Sequence, residues 1–222
     1  DSVAVEVAPD KVIVGKPGGL TISSAEASAE RAATAVRPLF DIGEWHKNQA
    51  GDFLPRRDAL IAAAGAAQPE QRAQARLDLA RFYMARGLYA EAAGESAFAL
   101  ADPTPRMDES VFRMVHAVAS ILIDRPNTAL KDLATPSVGN NYDSQLWKGL
   151  AYAKQGKWAE AREKLKNVEF AIASLPVELQ RLITMDAMRA SLEVRDFAGA
   201  AKRRSELEVV GVPPEMKPMA MM

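Results

Sequence analysis

The sequence predicts an all-α protein of antiparallel helix pairs stacked into a solenoid, preceded by a short extended or hairpin arm. Three observations carry this expectation. From about residue 41 onward Ala, Leu, Glu, Arg and Met dominate, all strong helix formers. Breaks rich in proline and glycine fall at Gln68-Pro69, Asp102-Pro103-Thr104-Pro105, Pro136 to Asn140, Leu175-Pro176 and Pro213-Pro214. They leave segments of about 30–40 residues, the length of a helix pair. Within those segments one order of small and large residues recurs.

The arm comes first. Val3, Val5 and Val7 alternate with smaller or polar residues, Pro9-Asp10 supplies turn chemistry, and Val12, Ile13 and Val14 follow. Residues 24–38 are rich in Ala, Ser and Glu and read as a linker or weak helix. A lone hairpin is marginal in water. Residues 1–40 are therefore expected to pack on the rest of the chain or to continue an upstream β domain. The helical domain is expected over 41–222. Capping helices cover 41–67, with Trp45, Phe53, Leu54, Leu60 and Ile61 as their buried residues. Helix pairs follow at about 70–105, 108–138, 141–175 and 177–211, and the last segment starts a covering helix.

The recurring order is clearest in GLAYAKQGKWAEA, residues 149–161. Gly149 is small, Tyr152 aromatic, Gly156 the turn, Trp158 aromatic, Ala161 small, and Leu165 large four residues on. LARFYMARGLYAEAAG repeats it with Leu79, Ala80, Tyr83, Gly87, Tyr89 and Ala92, although Ser96 stands where a large residue is expected. Two looser copies place Ala117, Ala129 and Leu133, with Pro126 for the aromatic, and then Phe197 and Ala200. The second-helix alanines Ala92, Ala129, Ala161 and Ala200 are spaced by 37, 32 and 39 residues. Small residues let two helix backbones approach, here Gly149 against Ala161, while the aromatics fill the space beside the crossing. One pair cannot cover its own apolar faces, so neighbours must stack.

This pattern resembles the tetratricopeptide repeat, whose units run for about 34 residues. The resemblance implies a right-handed superhelix whose first helices line a concave groove. Carried over position by position, the groove residues are Leu77, Arg81, Met84, Met114, Val118, Ile121, Leu146, Leu150, Met185 and Arg189. The set is largely apolar and lacks the lysines and asparagines with which some family members clamp a terminal carboxylate. It suits an apolar helix face or extended segment, with Met adapting its shape and Arg81 and Arg189 anchoring carboxylates at the ends. The same residues could instead be core.

Other chemistry is thinly represented. Lys+Arg 28 against Asp+Glu 29 gives a net charge of -1, without the positive field of a nucleic-acid binder. There is no cysteine, which excludes disulfides and thiol chemistry. His46 beside Trp45 reads as a surface or half-packed residue and His116 as a satisfied helix histidine; Asp132 and Glu160 read as solvated helix faces. No zinc-protease, nucleophile-elbow or phosphate-loop motif is present. The lysines around residues 154–166 read as solvated faces with pairs such as Glu160 to Lys164.

The expected function is that of a non-enzymatic interaction scaffold, without cofactor or metal, binding a protein or peptide through the groove. The alternative is a structural connecting module of a larger envelope or secretion-related assembly with no groove ligand. No apolar run approaches the roughly 20 residues needed to span a bilayer. The Ala-rich composition points to a bacterial source, and the chain reads as part of a longer one. The compartment stays open between periplasm and cytoplasm, with periplasm slightly favoured.

Overall fold

The computed structural model describes residues 4–8, 11–15, 39–103, 109–139 and 142–211. The chain divides into two compact units, Asp1–Arg37 and Pro38–Met222. In the first, strands β1 (Ala4–Ala8) and β2 (Lys11–Gly15) pair antiparallel with Ala4 opposite Gly15 and Ala8 opposite Lys11. Val3, the 24–38 linker and the covering helix expected after Pro213 lie outside the described residues.

The second unit is helical throughout its described length. Its helices are α1 (Ile42–Ala50), α2 (Phe53–Ala66), α3 (Pro69–Ala85), α4 (Tyr89–Ala101), α5 (Glu109–Leu122), α6 (Pro126–Leu133), α7 (Tyr142–Lys154), α8 (Trp158–Lys164), α9 (Glu169–Ala173), α10 (Val177–Glu193) and α11 (Phe197–Val210). Among the described residues no helix is long and apolar enough to cross a membrane. The short α9 was not anticipated. Leu39 and Phe40 join the core of this unit, so it begins a few residues before the expected 40/41 boundary.

Four helix pairs, α3–α4, α5–α6, α7–α8 and α10–α11, share one turn. In each, a single residue takes the left-handed conformation: Gly87 (φ 72°), Asp124 (φ 60°), Gly156 (φ 71°) and Arg195 (φ 61°). In each, the next residue donates its N–H to a carbonyl five residues back. Leu88 reaches Tyr83 at 2.9 Å, Arg125 reaches Ser120 at 2.8 Å, Lys157 reaches Tyr152 at 3.0 Å and Asp196 reaches Ser191 at 2.8 Å. This is the Schellman closure of a helix C-terminus. The second helix then starts two residues after the left-handed one, at Tyr89, Pro126, Trp158 and Phe197. Pro126 fits there because the first helical position needs no N–H and welcomes its fixed φ. The two looser copies in the sequence thus fold like the two tight ones.

Only glycine adopts this conformation without cost, and Arg195 is exposed. Arg195→Gly is expected to stabilise the protein by about 0.5–1 kcal/mol, the strain relieved less the added backbone entropy of glycine. Gly87→Ala should cost about 1 kcal/mol. Urea midpoints check both, and an unchanged or lowered Arg195→Gly midpoint would contradict the strain argument.

The crossings are tight where the sequence places small residues, but not always with the expected partner. A Cβ on Gly149 would lie 2.7 Å from Leu165 Cγ and 3.1 Å from Lys164 Cβ. The glycine therefore makes room for Leu165, and Ala161 is not what crowds it. Ser96, in the position held by Leu133 and Leu165, is fully buried and turns its hydroxyl back to Ala92 O at 2.7 Å. Burial of a small, self-satisfied side chain lets α4 pack closely there. Of the expected capping residues Trp45 is buried and Phe53 and Leu60 pack against the core, whereas Leu54 and Ile61 face solvent.

Candidate interaction site

Leu77, Arg81 and Met84 recur at helical spacing and share one stripe of α3. The stripe is covered by the chain itself. Arg81 Nη2 donates to Leu39 O at 3.4 Å, and α1 packs on α3. Leu39, Phe40 and Trp45 belong to one apolar cluster with Leu77 and Met84; the Phe40 and Trp45 rings meet edge-on at 5.3 Å. At its other end α1 reaches α10, where Gln49 Nε2 donates to Glu178 Oε1 at 3.3 Å across 129 positions of sequence.

Arg86 holds the C-terminal end of α1. Its Nε donates to Asn48 O at 2.5 Å and its Nη2 to Gly51 O. These are carbonyls that a helix end leaves without intrahelical partners, and a guanidinium there also complements the helix dipole. Phe53 and Phe82 stack 5.6 Å apart, and the Arg86 guanidinium lies 5.9 and 5.7 Å from their centroids. The guanidinium thus lies against both rings as well as the two carbonyls.

The remaining groove residues require correction. Leu77, Met84, Met114, Val118, Ile121, Leu146, Leu150 and Met185 are all buried, at most 7% exposed, so none is offered to an outside ligand in this arrangement. The cause is packing: helix pairs this close bury both flanks of their first helices, and α1 covers the α3 stripe. Arg81 binds a backbone carbonyl where a carboxylate was expected. Arg189 is exposed, stacks over Trp158 at 4.9 Å and sits 3.6 Å from Glu193 of its own helix. The apolar members other than Met185 thus come together as core. The sequence predicts a capping helix here but not its seat on the α3 stripe, because nothing local shows which face a capping helix covers.

No protein-family model, no curated protein and no solved structure matches this chain.

Two polar clusters lie elsewhere among the described residues. His116 Nδ1 lies 2.6 Å from Asp132 Oδ2, and Arg113 approaches the other oxygen at 3.6 Å. Asp132 is buried in this cluster and is not the solvated residue its sequence context suggested. The second is a cleft of about 110 Å³ between the α8–α9 connection and α10–α11, lined by Arg162, Lys166, Glu169, Asp196, Lys202 and Arg203 among others. Its charges are paired internally. Arg162 grips Asp196 at 2.8 Å, Lys202 meets Glu169 at 2.6 Å, and buried Arg203 bonds Glu206 at 2.8 Å and Leu165 O at 2.5 Å.

That pairing sets two carboxyls. Burial pushes Glu169 up, but the Lys202 hydrogen bond, the helix N–H and Arg203 outweigh it and hold the group below its ordinary value. Asp196 caps α11 through the Gly199 N–H at 2.9 Å, and that bond followed by Arg162 holds it low as well. A depressed carboxyl stabilises the fold above its unfolded value and stops doing so as pH falls through its folded one. The stability difference between wild type and Asp196→Asn should be full near neutrality and fade as the pH is taken below the ordinary aspartate range. Urea midpoints of both chains across that range check this, and a pH-independent difference would contradict it.

Proposed function

We propose that this chain is a tetratricopeptide-like helical-repeat scaffold that works by holding a protein or peptide segment, without catalysis. The observation that carries this reading is the segment at residues 39–51, already seated on α3 by donors aimed at backbone carbonyls. Such donors read the open carbonyls at the ends of a short helix whatever its side chains, while the apolar anchors carry helix-in-groove recognition. The four equivalent Schellman turns support the repeat reading, since they impose one helix-pair geometry on four dissimilar sequences. Stacked pairs of this kind form solenoids.

The second reading is a structural connecting module with no groove ligand, and burial of the apolar groove positions favours it. Photo-crosslinking amino acids at Phe98, Arg189 and Phe197, all exposed, separate the two in the cell that produces the protein. A scaffold gives discrete adducts with a separate polypeptide from at least one position. Adducts confined to the same polypeptide, or none, leave the connecting module.

A further inference from the structure

We infer that residues 39–51 are an exchangeable occupant of a helix-docking site, and that the site accepts a partner segment with one large apolar side chain just ahead of a short helix and a second, five residues on, in the first turn of that helix, as Phe40 and Trp45 stand here. The inference deepens the scaffold reading and rests on it. The site has three parts. Arg86, beside the stacked rings of Phe53 and Phe82, caps a helix C-terminus; Arg81 binds a carbonyl near the helix entrance; the α3 stripe receives the apolar anchors, here Phe40 and Trp45. These three hydrogen bonds from Arg81 and Arg86 end on main-chain carbonyls, which another segment would also offer.

The present occupant fits imperfectly. Trp45 is 4% exposed and Asn48 7%, yet Trp45 Nε1 and Asn48 Oδ1 have no hydrogen-bond partner. A buried polar atom left without a partner forfeits the hydration it had in water. An α-helix of nine residues also does not hold its shape alone, so α1 (Ile42–Ala50) exists only while docked. Undocking therefore unfolds the segment and frees both polar atoms to water. A covalently attached occupant with this defect keeps the site closed until a better-fitting helix competes, because attachment offsets poor contacts through effective concentration. The partner's chemistry follows: apolar at the Phe40 and Trp45 places, apolar where Asn48 now sits, and free carbonyls at its C-terminal turn.

The test uses the full chain and synthetic peptides copying residues 39–51. The protein has no cysteine, so spin labels at His46→Cys and Gln71→Cys report the distance between α1 and α3 alone. Without peptide one short distance is expected. Excess peptide should add a longer population, and a peptide carrying Asn48→Leu should do so at about tenfold lower concentration. In a second arm, Phe40→Asp/Trp45→Asp loosens the attached segment, and this chain should bind labelled peptide at least about tenfold tighter than wild type. Distances unmoved by millimolar peptide overturn the proposal, as does a folded double variant that ignores the peptide. If the double variant unfolds, the distance arm decides by itself. Failure here together with crosslinks from Phe98 or Phe197 would remove this site and leave the scaffold reading standing on other surfaces.

Discussion

Leu150→Glu is expected to abolish cooperative folding at 25 °C. Leu150 is fully buried in the main core, on the same helix as Gly149 and Leu146. Removing a buried leucine costs about 2–5 kcal/mol, and an unpaired carboxylate in its place adds several more. The sum, upward of about 5 kcal/mol, equals or exceeds the whole stability of many domains. Circular dichroism should show no sigmoidal transition, while Leu150→Met, which keeps the volume, should cost less than about 1.5 kcal/mol. This pair of measurements also tests the placement of the groove positions. A Leu150→Glu chain that melts like wild type would mean that the residue lines an open face after all.

Arg203→Ala is expected to cost about 2–3 kcal/mol, the largest effect of any charged residue in the C-terminal pair. Its guanidinium is 7% exposed and holds three groups: Glu206 at 2.8 Å, Glu169 at 3.4 Å and the Leu165 carbonyl. Breaking a buried pair from one side costs about 3–5 kcal/mol because the remaining charge loses its partner. Glu169 and Glu206 are about one-third exposed, so water recovers part of that loss. The Leu165 carbonyl loses a donor in addition. Arg203→Lys should recover only part of the stability, since one ammonium cannot reach all three acceptors at these angles. Chemical denaturation at neutral pH checks the series, and an Arg203→Ala loss below about 0.5 kcal/mol, the range of surface pairs, would contradict the structure's burial of this side chain.

The two predictions come from opposite ends of what sequence can reveal. Leu150 was visible as an apolar residue at helical spacing, but its periodicity was the same whether it faced a partner helix or a ligand. The sequence left groove and core open at that fork, and the apolar positions are buried in this arrangement. In the sequence Arg203 is one of three consecutive cations, Lys202-Arg203-Arg204, and nothing local shows that Leu165 O and Glu169 close around it. Asp132 was misread for the same reason: its partner His116 lies on the preceding helix, 16 residues away. Even Gly149 was assigned the wrong neighbour, because Ala161 and Leu165 sit one turn apart on α8 and its end, and only the crossing decides which one meets the glycine.

What the sequence by itself determined is the local grammar. Helix formers, breaks and the recurring small and aromatic residues specified helices in pairs, and glycine at Gly87 and Gly156 marked two left-handed turns. These are short-range effects, settled by backbone sterics within about six residues. Tertiary structure decided that Asp124 and Arg195 take the same turn at the cost of strain, because the packed helices on either side overdetermine it. It also decided which face of each first helix is core, and that Leu39 to Gly51 lies against α3 and touches Glu178. Those outcomes depend on where distant surfaces meet, and no window of sequence contains both sides of such a contact.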